Sequence, residues 1–166
     1  MQVLAALDEW QDTGLIVPIG YSLSVVATGM AERSIGAPVP PEGGPIGGTA
    51  IPANFPVDLD IAPSYSLVLL LIPEAAPIPD PVSQGGVQLT ANVLVPGSAG
   101  SYTYSQIESV TDNAGPYKVY ARMNDDVPAD NSGYWELDVV ATISPPVTLT
   151  GSGGCDGIAS LQWSED

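Results

Sequence analysis

Nowhere in this sequence is there an amphipathic helix of normal length, and that feature most narrows what the chain can fold into. Short apolar runs follow one another instead, each ended by turn residues. Tyr21 to Thr28 alternates, with Tyr21, Leu23 and Val25 on one face and Ser22, Ser24 and Val26 on the other. That is the pattern of a half-buried strand. Tyr65 to Ile72 is apolar almost without a break, which predicts a strand buried on both faces. Tyr117 to Met123 and Tyr134 to Val140 alternate again. Met1 to Leu7, Gly86 to Val95 and Tyr102 to Val110 complete the predicted strands, with Asp8 to Gly14 read as a polar turn that Gly14 closes. The 18 glycines and 17 prolines are many for 166 residues and supply the turns such a pattern needs. The expectation is an all-β sandwich or barrel.

The length suits one domain with a single sizeable core, carrying a tail. The domain is placed at 1–142 and the extension at 143–166, where Pro145-Pro146 breaks the preceding strand. In the extension, Val147 to Thr150 is strand-like, Gly151 to Gly157 is glycine-rich, and Ile158 to Trp163 could pair with a sheet edge. From Met30 to Pro63 regular structure is hard to assign, because Pro38, Pro40, Pro41, Pro45, Pro52, Pro56 and Pro63 interrupt it. A connection that long in a compact domain is usually functional or packed over an interface.

Charge and composition exclude several classes. The net charge of -16 comes from 19 acids against only 3 Lys and Arg, so nucleic acid is not an expected partner. The absence of His removes the commonest general base and most zinc and copper sites. The lone Cys155 excludes an internal disulfide and has no nearby activating base. The longest apolar runs are too short to span a bilayer as helices, and no secretory signal is visible at Met1-Gln2-Val3. Virion or cell surface, and otherwise cytoplasm, are the locations compatible with that reading. No nucleophile motif appears, and no pair of carboxylates is marked out for glycoside hydrolysis. An enzyme is therefore not expected.

The stretch Asn124-Asp125-Asp126-Val127-Pro128-Ala129-Asp130-Asn131-Ser132-Gly133 stands out. Residues 124–131 hold three carboxylates and two carboxamides between two predicted strands. Such a loop can gather hard oxygens around one point, as a calcium ion requires. The bland reading of Asp125, Asp126, Asp130 and Asn131 is a hairpin turn whose polar side chains cap backbone amides. Trp10 and Trp135 are either sugar-stacking platforms or packing residues. Trp163 either anchors the tail to a neighbouring subunit or frays with it.

The chain resembles the PA-I-type galactophilic lectins, a calcium-dependent, galactose-binding bacterial family with a jelly-roll-like β-sandwich. The likeness runs over roughly residues 3–142. It is carried by Trp10-Gln11-Asp12-Thr13-Gly14-Leu15, by Leu23 to Gly29, by Pro41-Glu42-Gly43-Gly44-Pro45, by Leu67 to Ile72 and above all by Asn124 to Gly133. The resemblance implies calcium as cofactor, with Asp126, Asp130 and Asn131 as side-chain ligands and the Ala129 carbonyl as a backbone ligand. Asp126 and Asn131 would then meet a galactose-like glycan that completes the metal's shell, with Glu42 as a supporting acid. The family's sugar-contacting histidine has no counterpart here, and Glu32 and Arg33 fall where its tyrosine carbonyl ligand would be.

Two functions follow. One is a non-enzymatic, lectin-like module for calcium-dependent carbohydrate binding and adhesion, displayed on a larger assembly. The other is a structural virion protein, a capsid decoration or fibre-associated subunit, that uses the same sandwich for assembly without sugar. Both make a homo-oligomer or an assembly component the expected state, and neither inserts into a membrane.

Overall fold

The computed structural model describes residues 1–34, 36–43, 55–57, 59–78, 89, 92–104, 106–107 and 115–143, and the backbone alone of 148–153 and 159–164. The strands are β1 Gln2–Leu4, β2 Gln11–Val17, β3 Tyr21–Thr28, β4 Ala31–Glu32, β5 Pro38–Val39 and β6 Leu67–Pro73. They continue as β7 Val93–Leu94, β8 Ala99–Tyr102, β9 Tyr117–Met123, β10 Ser132–Ile143, β11 Thr148–Gly153 and β12 Ala159–Ser164. One sheet runs β5-β4-β10-β3-β8, with β1 on the other side of β10; the second runs β2-β9-β6-β7. All named pairings are antiparallel. The all-β sandwich expected from the turn-punctuated pattern is what the chain forms.

The core lies between these two sheets. Leu23, Val25 and Ala27 of β3 and Trp135 and Leu137 of β10 face Leu67, Leu69 and Leu71 of β6 and Val119, Ala121 and Met123 of β9. Alternation in β3 and β10 puts one face inside and one in water, as period-two patterning requires. The β6 run behaves differently. Its even-numbered residues Val68, Leu70 and Ile72 are also buried, in a second cluster with Trp10, Val57, Ala62 and Tyr120. Val57 and Ala62 lie against that outer face, which is why β6 is apolar throughout. Both tryptophans expected to be platforms or packing residues are packing residues: Trp135 is fully buried, its Nε1–H donating to the Val39 carbonyl at 3.0 Å, and Trp10 is 6% exposed.

Arg122 is the one guanidinium inside this outer layer, 1% exposed, with Nη2 donating to the exposed Asp8 carboxylate at 3.1 Å. Its Cζ lies 5.7 Å from the Trp10 ring centre. Burial pushes its pKa down, and Asp8 opposes that shift.

Three expectations change. The polar stretch 8–14 turns only as far as Trp10; from Gln11 it is strand β2, whose register slips between Asp12 and Ile16. There Gly14, at φ 73°, donates its N–H to Asp12 Oδ1 at 2.8 Å, and the Thr13 hydroxyl donates to the Val119 carbonyl at 2.7 Å. A β-bulge and a turn use the same residue types, so the letters alone do not separate them. The strand expected over 102–110 ends at Tyr102; Thr103 accepts from the Gln106 and Ile107 amides, both at 3.1 Å, in a helical turn that buries Ile107. Of the tail segment 158–163, which could pair with a sheet edge, the described part lies in β12 and pairs with β11, Thr148 opposite Ser164 through Gly153 opposite Ala159. The long segment 30–63 holds β4 and β5, and the expected strand 86–95 holds β7; residues 44–54, 86–88, 90–91, Cys155 and the Trp163 side chain lie outside what is described.

Burial on both faces of β6 has a measurable consequence. Leu69→Ala and Leu70→Ala are each expected to cost about 2–5 kcal/mol in denaturant unfolding, although neighbouring side chains point to opposite faces. The exposed Val140→Ala is expected to stay within about 0.5 kcal/mol.

Candidate functional site

The acidic stretch is not a hairpin turn. It leaves β9 in the four-stranded sheet and enters β10 in the six-stranded sheet, so it is a corner between the two layers of the sandwich. Its middle, Pro128–Asp130, is a single 3-10 turn in which the Asn131 amide donates to the Pro128 carbonyl at 3.1 Å. Gly133, at φ 73°, then carries the chain into pairing with Ala31.

Asn124 is wholly buried and fully used. Its Oδ1 accepts from the Val57 amide at 3.0 Å, and its Nδ2 donates to the Ala62 and Pro63 carbonyls at 3.1 and 3.3 Å. Its main chain exchanges bonds with the same segment: Asn124 N–H donates to the Ser66 carbonyl at 2.9 Å, and Tyr65 N–H to the Asn124 carbonyl at 2.7 Å. The proline-rich connection is thereby fastened to the acidic corner. Each such bond contributes only about 0.5–1.5 kcal/mol net, but leaving a buried partner unpaired costs about 1–3 kcal/mol.

Asp125 is 3% exposed. One carboxylate oxygen accepts from the Val127 amide at 3.2 Å, and the other from the Asn131 side-chain amide. The same Asn131 Nδ2 also faces the Ala5 carbonyl and Met123 Sδ, both at 3.3 Å, while its Oδ1 is buried with no hydrogen-bond partner. Burial raises the Asp125 pKa, the amide bonds from Asn131 and Val127 lower it, and the neighbouring Asp126 raises it again.

A cleft of about 290 Å³ opens over this corner, lined by Arg33, Ser34, Ala37, Tyr65, Asp125, Asp126, Val127 and Asp130. Of the residues expected from sequence, Asp126 and Asp130 reach it. Ala129 lies exposed in the 3-10 turn, and Asn131 is tucked beneath Asp125 without lining the cleft. Glu42 is elsewhere: its Oε1 accepts from the Ser98 amide at 3.0 Å, and hydrogen bonding from the Ser98 side chain, with backbone amides adding to it, holds its carboxyl below the usual range. Among the described residues, no group of three or more Asp, Glu, His or Cys side chains is arranged around a point that could hold a metal ion.

Two wall residues come from outside the acidic stretch: Arg33 from the segment that the sequence left unassigned, and Tyr65 from the start of the strand predicted over 65–72, which the structure begins at Leu67. Arg33 follows β4 directly, its N–H donating to the Ala37 carbonyl at 2.9 Å. Its guanidinium carbon sits 4.8 Å from the centre of the Tyr65 ring. Phe55 meets that ring edge-on at 6.2 Å between centres. Burial raises the Tyr65 pKa, the charges of Asp125 and Asp126 raise it further, and Arg33 lowers it. Tyr65 and Ser34 both hold positive φ, 61° and 53°. Non-glycine residues in that region cost about 1–3 kcal/mol each and tend to cluster at working sites. The sequence signals were that Arg33 is among only three basic residues in a strongly acidic chain and that, with Glu32, it falls where the resembled family places a carbonyl ligand.

The cleft therefore offers carboxylate acceptors on one wall and guanidinium donors on another, the guanidinium lying over the Tyr65 ring. Its titration is testable. The folded pKa of Asp125 is raised, so the folded state holds this proton more tightly than the unfolded chain does; stability from this group falls as pH rises through the folded value. The wild-type stability minus that of Asp125→Asn, measured by urea unfolding, is expected to increase as pH is lowered from neutral toward the ordinary aspartate range. A difference that stays flat or shrinks on acidification contradicts the buried, hindered carboxyl.

No helix among the described residues is long and apolar enough to cross a membrane. No protein-family model matches the sequence, and no curated protein matches it.

Proposed function

We propose that the chain is a non-enzymatic binding module that takes carbohydrate in the cleft between the acidic corner and Tyr65, and that it works in adhesion as part of a larger assembly. The observation that carries this reading is the joint lining of one cleft by Asp126, Asp130, Arg33 and Tyr65. Sugar hydroxyls donate to carboxylates and accept from guanidinium, and this cleft presents both, with the Tyr65 ring seating the guanidinium. The family resemblance noted above points to the same ligand class and names galactose-like glycans as the first to test. A merely structural corner has no need to hold Tyr65 and Ser34 at positive φ on its wall.

Assembly has its own support. Among the described residues the β11–β12 pair bonds to neither sheet, so both of its outer edges carry backbone groups unused by the named pairings. Isolated two-stranded hairpins are marginally stable in water. Docking of this extension on a neighbouring subunit, as in a virion decoration protein, would cover it.

A glycan array followed by calorimetric titration of the best ligand tests the first reading. Tyr65→Ala and Asp126→Asn are each expected to weaken binding at least about tenfold, the loss of about 1.4 kcal/mol of interaction, with the fold retained. Array-wide silence, or binding indifferent to both substitutions, contradicts it. For the second, removing residues 143–166 is expected to abolish higher-order species in sedimentation velocity while leaving the melting transition of the sandwich in place. Unfolding of the shortened chain would instead make the extension part of the core.

A further inference from the structure

We infer that Arg33 is the resident cation of the acidic cleft, standing in for a metal ion, so that the cleft binds its ligand without calcium. The inference rests on the cleft being the ligand site proposed above, but not on which sugar fills it.

The first observation is what the acidic corner does with its oxygens. Both Asp125 oxygens already accept hydrogen bonds, from Val127 N–H and from Asn131 Nδ2. Asn131 thus turns a donor toward the carboxylate, where a shared metal would require an oxygen. Asn124, the other carboxamide, is consumed by Val57, Ala62 and Pro63. What remains on the cleft wall is Asp126 and Asp130, against the six to eight oxygens that calcium gathers.

The second observation is the position of the guanidinium. Arg33 is one of three Lys or Arg residues in the chain. Arg122 is buried against Asp8 and Trp10, and Lys118 lies on β9; neither lines the cleft. Arg33 does, and it is fixed there by its turn bond to Ala37 and by the Tyr65 ring. Tyr65 in turn hangs from the Asn124 carbonyl, so one tie sets both the acidic wall and the platform beneath the base. A divalent ion entering the cleft would meet a fixed like charge, which lowers its affinity. Arg33 also offers planar, directional N–H donors that a bare metal does not, suiting it to hydroxyl recognition.

Thermal melts of the full chain in millimolar calcium and in chelator, at equal ionic strength, test the inference in wild type, Arg33→Ala and Arg33→Lys. Wild type and Arg33→Lys are expected to melt at the same temperature in both conditions. Arg33→Ala is likewise expected to ignore calcium, because Asp126 and Asp130 alone do not make a calcium shell; with their charges no longer opposed by a cation, it is expected to melt below wild type at low salt by a difference that shrinks as sodium chloride is raised. A calcium-dependent rise in wild type overturns the inference, and so does an Arg33→Ala variant whose melting difference from wild type does not change with salt. Should that variant not fold, terbium luminescence of the wild type decides: no sensitised emission supports the assignment. Emission displaced by calcium and lost in Asp126→Asn overturns it. Calcium indifference with no glycan binding would remove the carbohydrate reading alone, whereas glycan binding that requires calcium would remove the Arg33 assignment alone.

Discussion

The buried side chain of Asn124 is the tie on which the rest of the site depends. A corner between two sheets and a proline-rich connection have little regular hydrogen bonding of their own, and proline removes donors that a ladder would use. Asn124 compensates with both ends of its amide and both of its backbone groups, all directed into residues 57–66. Five partners on one residue turn two irregular segments into one body. The placement of Tyr65, and with it the seat of the Arg33 guanidinium, follows from that tie.

The layers explain why the corner exists. Because β9 and β10 belong to different sheets, the chain between them must cross the edge of the sandwich, and the crossing brings polar groups against a packed core. Asp125 and Asn131 answer that demand by bonding one another, with the Ala5 carbonyl and Met123 beneath them. Burial of Asp125 is tolerated because amide donors meet it from two sides. The remaining acids, Asp126 and Asp130, are left on the cleft wall.

Much of the fold was legible in the letters because it depends on local periodicity. Tyr21–Thr28 and Tyr117–Met123 are strands with the limits that alternation gave them, and the uninterrupted apolar run at 67–72 is buried on both faces. The bulge at Asp12–Ile16 was hidden because its residues also suit a turn. The two-residue strands β4 and β5 carry too little pattern to be seen, and their pairings with β10 and with each other are set by tertiary contact. The acidic half of the cleft was visible as a cluster. Arg33 and Tyr65 were not assigned to it, since they lie roughly 90 and 60 residues away along the chain and meet it only through the corner's long-range bonds. Asn131 and Glu42 show the converse: residue type suggested a ligand-facing role, whereas their hydrogen bonds place one beneath the cleft and the other at the Ser98 turn.

Native-state hydrogen exchange of the Val57 and Tyr65 amides tests this account most directly. Both N–H groups donate to Asn124, and both sit in segments that, without that residue, would be exchange-competent surface connections. If the tie holds the site together, these two amides exchange as slowly as the amides of β6 and β9, at rates set by global unfolding. Exchange at the rates of exposed loops would mean that the proline-rich segment opens independently of the corner, and the cleft could not then be a preformed site.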